Sequence, residues 1–144
     1  MAFTGNFMCT SFKVELMTAT HNFTNSTGNT FNIAMYDNSA SFTAATTAYT
    51  ATNEVSGAGY SAKGNVLVNV TPTSTSTTAF TDFGDSTWSS STITARGAMI
   101  FNDTASGDPS VVILDFGSDK SSSSGDFTIV FPTGDSTSAI IRIA

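Results

Sequence analysis

The chain has 144 residues, enough for one domain that buries about 70% of the surface its unfolded form exposes. Charged residues make up 11%, the formal net charge is -6, and serine and threonine supply about a third of the residues. This balance argues against nucleic-acid binding, which needs clustered Lys and Arg, and it predicts a hydroxyl-rich surface that packs against partners.

No run of the sequence reaches the roughly 20 apolar residues of a membrane span, and the N-terminus lacks the basic start and apolar core of a signal peptide. We therefore expect a chain made in the cytoplasm, without membrane contact. The single cysteine, Cys9, has no partner for an internal disulfide, and its context predicts a small buried apolar residue.

An aromatic leader with Phe3 and Phe7 precedes a segment, 10–23, whose apolar residues follow a helical spacing. The apolar residues that recur at intervals of four, three and four are Phe12, Leu16, Ala19 and Phe23. We predict one amphipathic helix there, with Thr10 or Ser11 as its N-cap. His21, the only histidine, is expected to bond free carbonyls at the end of this helix or to be exposed.

From residue 29 the period changes to two, and apolar side chains at 31, 33 and 35 predict a strand with one buried face. Further strand signals lie at 66–70, 78–83, 92–101, 111–116, 127–131 and 139–143. The polar tracts 71–78 and 121–125 are predicted to be loops. The pattern predicts an all-β fold, an antiparallel β-sandwich or jelly roll with one short N-terminal helix.

Two units follow from this reading, an N-terminal arm and helix at 1–28, packed on a β-sandwich domain at 29–144. The strands at 111–114 and 139–141 are apolar on consecutive positions, so both of their faces are expected to be covered. Either the N-terminal helix or a neighbouring subunit can provide the second cover, and periodicity does not decide between them.

The loop 53–64 is punctuated by glycines, which sit where a chain turns sharply or takes positive φ. Val55 and Tyr60 are apolar anchors between those glycines, and we expect the loop to shape a contact surface. Together with Phe3, Phe7 and Met8 of the leader, they are the predicted partner-binding residues.

The sequence offers little for catalysis. One histidine is too few for the usual zinc sites, and because His21 is expected at the helix end or exposed, we do not expect it to act as the base of a Ser or Cys triad. Glu15 and Glu54 do not suggest paired carboxylates. The aspartates of 82–85 and 103–108 can in principle hold calcium, but turn formation explains them better. We expect no enzyme activity, no cofactor and no metal, and we expect Trp88 in the core or at a subunit contact.

Several short motifs follow one another along nearly the whole chain. They are CTSFKVEL at 9–16, TFNIAMY at 30–36, TAY at 47–49, NEVSGAGY at 53–60, TDF at 81–83, TWS at 87–89, TARGA at 94–98, LDFG at 114–117 and AIIRI at 139–143. In order and spacing they resemble small virion proteins of tailed bacteriophages, especially of phages that infect aquatic bacteria, such as cyanophages.

The resemblance implies a non-enzymatic structural protein of the virion, of the cement or decoration type. Such a protein lies on the outer capsid surface, clasps the major capsid protein, and often forms a homotrimer. The acidic charge agrees with a place outside the shell, away from packaged DNA.

Two alternatives stay open. The chain can be a neck, tail or fibre component of the virion, which copy number per particle would distinguish. It can instead be a module that binds host glycans through Trp88, Tyr49 and Tyr60, because aromatic rings stack on sugars.

Overall fold

The computed structural model describes residues 3–144, so Met1 and Ala2 of the predicted arm lie outside the described residues. Eight strands and one helix follow along this part of the chain. They are β1 Phe7–Met8, α1 Thr10–Met17, β2 Phe31–Tyr36, β3 Asn65–Val66, β4 Asn69–Thr75, β5 Thr78–Phe83, β6 Ser86–Asn102, β7 Ser110–Ile129 and β8 Ile141–Ile143.

The strands form two antiparallel sheets, one in the order β1-β7-β6-β2-β3 and one in the order β4-β5-β8. Phenyl rings join the sheets, because Phe83 of β5 lies 5.8 Å from Phe31 of β2 and 5.7 Å from Phe131. Phe23 stacks on Phe31 at 4.4 Å. The predicted all-β sandwich with one short N-terminal helix is confirmed, while the division at residue 28 stays a prediction.

The long hairpin of β6 and β7 differs from the prediction. The tract 121–125, expected to be a loop, lies inside β7. The strand expected at 111–116 and residues 127–129 of the strand expected at 127–131 belong to that same strand, which ends at Ile129. Hydroxyl pairs connect it to β6, Thr94 with Ser121 and Ser91 with Ser122, each at 2.7 Å. A ladder stabilised by such cross-strand pairs needs no apolar face, so the sequence pattern missed it.

The tract 71–78 is also mostly strand. β4 runs through Thr75 and pairs with β5, and only the tight turn at Ser76, with φ of 54°, separates the two strands. The prediction of a loop was wrong, because backbone pairing with a neighbouring strand decides such a polar segment.

β2 is buried at all six positions, so the prediction of one buried face was wrong. The segment after β2 folds back over it. The Tyr36 ring packs edge-on against Phe42 at 4.7 Å, and the Met35 amide donates to the Tyr60 hydroxyl at 2.9 Å. A long loop therefore covers the face that the alternating pattern assigned to solvent.

The helix is shorter than predicted and ends at Met17, and Ala19 follows with φ of 58°. Its N-cap is Cys9, whose side chain makes no capping hydrogen bond, so the predicted hydroxyl cap was wrong. Cys9 is buried, as predicted, and burial raises the pKa of its thiol. Phe23 lies in the loop after the helix and is buried there. Its match to the helical spacing therefore did not indicate a helix.

His21 is buried, which contradicts the expectation of an exposed or helix-capping side chain. Its Nε2 lies 2.7 Å from the Glu15 carboxylate, and its Nδ1 lies 3.1 Å from the Asn102 side-chain amide. These partners lie before and far after His21 in the sequence, so the tertiary fold creates this environment.

The chain itself buries residues 111–113 of the apolar strand, while Leu114 is half-buried. Val111 and Ile113 are fully buried, the Cys9 amide donates to the Val111 carbonyl at 3.0 Å, and β1 pairs with Val112 and Ile113. The arm and helix thus provide the cover that a neighbouring subunit would otherwise have to supply.

Gly64 holds the end of the glycine loop against β2. Its φ is +65°, and an added Cβ would overlap the Ile33 carbonyl. Gly117 of β7 has a similar φ of +77° but open space around it. At both positions a residue with a Cβ would be strained by the positive φ, but only at Gly64 would its Cβ also clash with the backbone.

We expect Gly117→Ala to lower the free energy of unfolding by about 1 kcal/mol, the cost of positive φ for a residue with a Cβ. Gly64→Ala should cost about 3 kcal/mol, because a backbone clash adds to that strain. Urea unfolding of both variants measures the difference. Equal losses would contradict the close approach of Gly64 to β2.

Candidate functional site: an apolar groove beside the N-terminal arm

A surface groove of about 870 Å³ lies between the N-terminal arm, β7 and the segment 130–140. Its apolar lining comes from distant parts of the sequence and includes Phe7, Met8, Phe116, Phe127, Ile129 and Ile140. An exposed apolar concavity of this size is typical of interaction sites. We call it the arm groove.

Hydrogen bonds fix the arm at the edge of the groove. Phe7 pairs with Ile113 and Met8 with Val112, and the Asn6 side-chain oxygen accepts from the Asp115 amide at 2.7 Å. Phe7 and Met8 are half-buried in this arrangement. The arm therefore presents part of both side chains to the groove.

The outer edge of β7 is open beside the groove. β1 covers only Val112 and Ile113, and within residues 3–144 no strand pairs with the outer edge of β7 beyond them. The pairing with β6 jumps from Gly97–Asp115 to Ala95–Lys120, so β7 bulges between these pairs. The bulge contains Phe116, whose ring lies 6.3 Å from that of Phe127.

The charges around the groove are few and largely engaged. Arg96 Nε lies 3.2 Å from the Asp115 carboxylate. The Gly117 amide and then Arg96 lower the pKa of Asp115. Asp126 accepts from the Ser90 amide at 3.1 Å, and Lys120 donates to Ser118. The surface of the groove is therefore mainly apolar.

The structure separates the predicted partner-binding residues. Phe7 and Met8 line the arm groove. Phe3 is 1% exposed and packs edge-on against Phe42 at 5.7 Å, and Val55 is 7% exposed. Tyr60 is half-buried in the glycine loop. Partner binding by these five residues stays a prediction, and only Phe7 and Met8 lie together at an open surface.

Glu54 is the centre of a polar network that the sequence did not reveal. Its carboxylate accepts from the Tyr49 hydroxyl at 2.6 Å, the Tyr60 hydroxyl at 2.7 Å and the Lys63 amide at 2.7 Å. Both carboxylate oxygens are thus engaged in holding the loop. The only sequence signal is a glutamate with tyrosines five residues before and six residues after it.

Lys63 connects this loop to the turn between β6 and β7. Its ammonium lies 2.7 Å from Asp103 and 2.8 Å from Asp108, and hydrogen bonds to both carboxylates raise its pKa. These two aspartates therefore bind a side-chain cation of the chain. Among the residues that the structure describes, no three His, Cys, Asp or Glu side chains form a group that could hold a metal ion.

Trp88 lies in the core at 3% exposure, which confirms the prediction of a core position. Its ring stacks near Tyr60 at 6.0 Å and meets Phe127 edge-on at 6.3 Å. A ring enclosed in this way has no free face for a sugar.

Comparisons with protein-family models, with curated proteins and with solved structures find no match for this chain. In the described part of the chain, no helix has the length and apolar character needed to cross a membrane.

We expect Tyr49 to ionise well above the ordinary tyrosine range. Burial, and then the hydrogen bond and charge of Glu54, raise the pKa of Tyr49 from 10 to about 12. Because the folded state keeps this proton to higher pH than the unfolded state, the contribution of Tyr49 to stability should fall between those values. Urea unfolding of wild type and Tyr49→Phe across this range tests the sign.

Phenolate absorbance of the folded protein gives a second measurement. Glu54→Gln removes the charge beside Tyr49 and should lower the pKa of Tyr49, while keeping a side-chain oxygen that accepts hydrogen bonds. A Tyr49 that titrates at its ordinary pKa in wild type would contradict the network.

Trp88→Ala should lower the free energy of unfolding by about 3–5 kcal/mol, because it removes a large buried ring. Val130→Ala is a suitable control, since Val130 is 73% exposed and its truncation should change stability by less than about 0.5 kcal/mol. A folded Trp88→Ala protein of near wild-type stability would show that the ring is not a core element.

Proposed function

We propose that this chain is a structural protein of a tailed-bacteriophage virion, and specifically a capsid cement protein on the outer surface of the major capsid protein lattice. The observation that carries the proposal is the open apolar groove formed by Phe7, Met8 and β7. Exposed apolar surface of this kind marks interaction sites on proteins. The motif resemblance supplies the class of partner.

The other polar clusters support a structural role. Glu54, Lys63 and His21 are engaged in hydrogen bonds and ion pairs within the chain. Both ring nitrogens of His21 lie within hydrogen-bond distance of other side chains, Nε2 of Glu15 and Nδ1 of Asn102, so this imidazole is engaged within the fold. The low content of charge likewise suits a surface that stays in contact with neighbouring proteins.

In the proposed arrangement, Phe7 and Met8 contact the capsid floor, and copies of the chain associate as a homotrimer through apolar strand faces. Val66, Val68 and Val70 are exposed on alternate positions of one extended segment and are suited to such contacts. Each contact can be smaller than a stable isolated interface of about 1,000 Å², because a fixed lattice raises the effective concentration. Phe3 would contribute only after leaving its place in the core.

A binding experiment with capsids that lack this protein tests the groove. The double variant Phe7→Ser, Met8→Ser should weaken binding at least about tenfold, or ~1.4 kcal/mol, because it removes apolar contacts at the centre of the proposed surface. Co-sedimentation measures bound protein against concentration.

The matched control is Val14→Ser, Met17→Ser, which removes two exposed apolar side chains from α1, 54% and 81% exposed. It should bind as wild type does. Unchanged binding of the Phe7 and Met8 variant, with its fold intact, would sink the groove as the capsid contact.

Copy number per particle distinguishes a place on the capsid shell from the alternative place in the neck, tail or fibre. Quantitative mass spectrometry of virions should give a copy number comparable to that of the major capsid protein for a shell-wide cement protein. A few to tens of copies would assign the chain to the tail or a vertex, and absence from virions would reject both.

No observation favours the glycan-binding alternative, since Trp88 is enclosed and the hydroxyls of Tyr49 and Tyr60 donate hydrogen bonds to Glu54.

A further inference from the structure

The segment 130–140, which we call the strap, forms one wall of the arm groove. It lies against β5 at Phe83, which contacts Phe131, and at Asp82, which lies beside Gly134. The Phe131 ring packs on Phe83 at 5.7 Å, and the Phe131 amide donates to the Asp85 carboxylate at 2.9 Å. At the far end, the Ala139 amide donates to the Asp135 carbonyl at 3.1 Å. The shape of the groove therefore depends on how the strap is held.

A buried carboxyl lies directly beneath the strap. Asp82 of β5 is 2% exposed, and its Oδ1 accepts from the Phe83 amide at 2.8 Å. Its Oδ2 is buried and makes no hydrogen bond of good geometry. A Cβ added at Gly134 of the strap would lie 3.5 Å from the Asp82 Cβ and 3.9 Å from Oδ2. The strap thus shields this oxygen from water.

The surrounding charges make an ionised Asp82 unfavourable. Asp135 on the strap and Asp85 before β6 are both acidic, and each adds to the effect of burial, which is the main cause of the raised pKa of Asp82. The amides of Phe83 and Ile140 oppose this rise but do not cancel it. Arg142 of β8 donates to the Thr137 carbonyl of the strap.

A buried carboxylate without a full set of partners must bind a cation, take up a proton or become hydrated. Among residues 3–144 no group of three suitable side chains offers a metal site there. A neutral, protonated Asp82 is compatible with the closed strap, whereas hydration of an ionised Asp82 requires the strap to move away.

We propose that Asp82 is a proton-operated lock on the strap: the neutral carboxyl allows the strap to pack closed, and the ionised carboxyl favours its release. The lock is a property of the isolated fold and goes beyond the proposed function. If the arm groove binds the capsid, which rests on that function, the same lock makes the groove wall firmer in acid than at neutral pH.

The direction follows from linkage. The closed strap raises the pKa of Asp82 above its value in the open, solvated state, so closing is coupled to proton uptake. The stabilisation of the closed strap is fully present below the open-state pKa and is lost as pH rises through the closed-state pKa.

Amide hydrogen exchange of the isolated protein, corrected for the intrinsic pH dependence of exchange, tests the lock between about pH 4 and about pH 8. Protection of the Phe131 and Ala139 amides should fall as pH rises, by about tenfold for each pH unit that separates the closed-state and open-state pKa values. Asp82→Asn should abolish this pH dependence. Asp119→Asn removes the same charge from an exposed position and should keep it.

Strap protection that does not change with pH, or that changes equally in Asp82→Asn, would overturn the proposal. If Asp82→Asn does not fold, a carboxyl carbon NMR titration of wild type decides the matter. An Asp82 that titrates at or below the ordinary aspartate pKa would overturn the lock. None of these outcomes depends on capsid binding, so failure of the lock and failure of the proposed function are distinguishable.

Discussion

The pairing of β6 with β7 is the constraint on which the rest of this structure depends. The part of this hairpin that includes the pairs Met99–Ile113 and Ile100–Val112 is buried, and it pairs with β2 on one side and with the arm strand β1 on the other. The other part of the hairpin is a hydroxyl-rich ribbon that extends past these neighbours. The groove exists because the arm ends where the ribbon continues, which leaves apolar side chains and an open strand edge beside each other.

The ribbon also shows how a chain with so little charge can pair polar side chains across two strands by neutral hydrogen bonds. Serine and threonine hydroxyls bond across the strands, as Thr87 does with Thr128 at 2.9 Å, and Ser91 also donates to the Gly125 carbonyl at 3.1 Å. Such neutral pairs stabilise a sheet without the desolvation cost of ion pairs. The result is a surface of low charge that is rich in hydroxyl groups.

Two acidic side chains illustrate opposite treatments of a carboxyl group. Glu54 accepts three hydrogen bonds from Tyr49, Tyr60 and Lys63, so the network fixes the glycine loop on the body of the protein. Asp82 has one good hydrogen bond and a second oxygen that is buried without one. A buried polar network whose members are all hydrogen-bonded makes a structure rigid. A buried carboxyl that lacks a partner instead makes the local structure sensitive to its protonation. The glycine loop is therefore held in place, whereas the position of the strap depends on the protonation of Asp82.

The sequence by itself determined the fold class, the burial of Cys9 and Trp88, and the strand at 78–83, because apolar periodicity and turn residues act over short distances. It also drew attention to Phe7 and Met8, though not to the groove they line. Only the tertiary structure decided that the polar tract 121–125 is strand and that Glu54 and Asp82 are surrounded so differently. Their environments are set by residues far away in the sequence, such as Gly134 beside Asp82, and local pattern carries no record of contacts that exist only after the chain has folded.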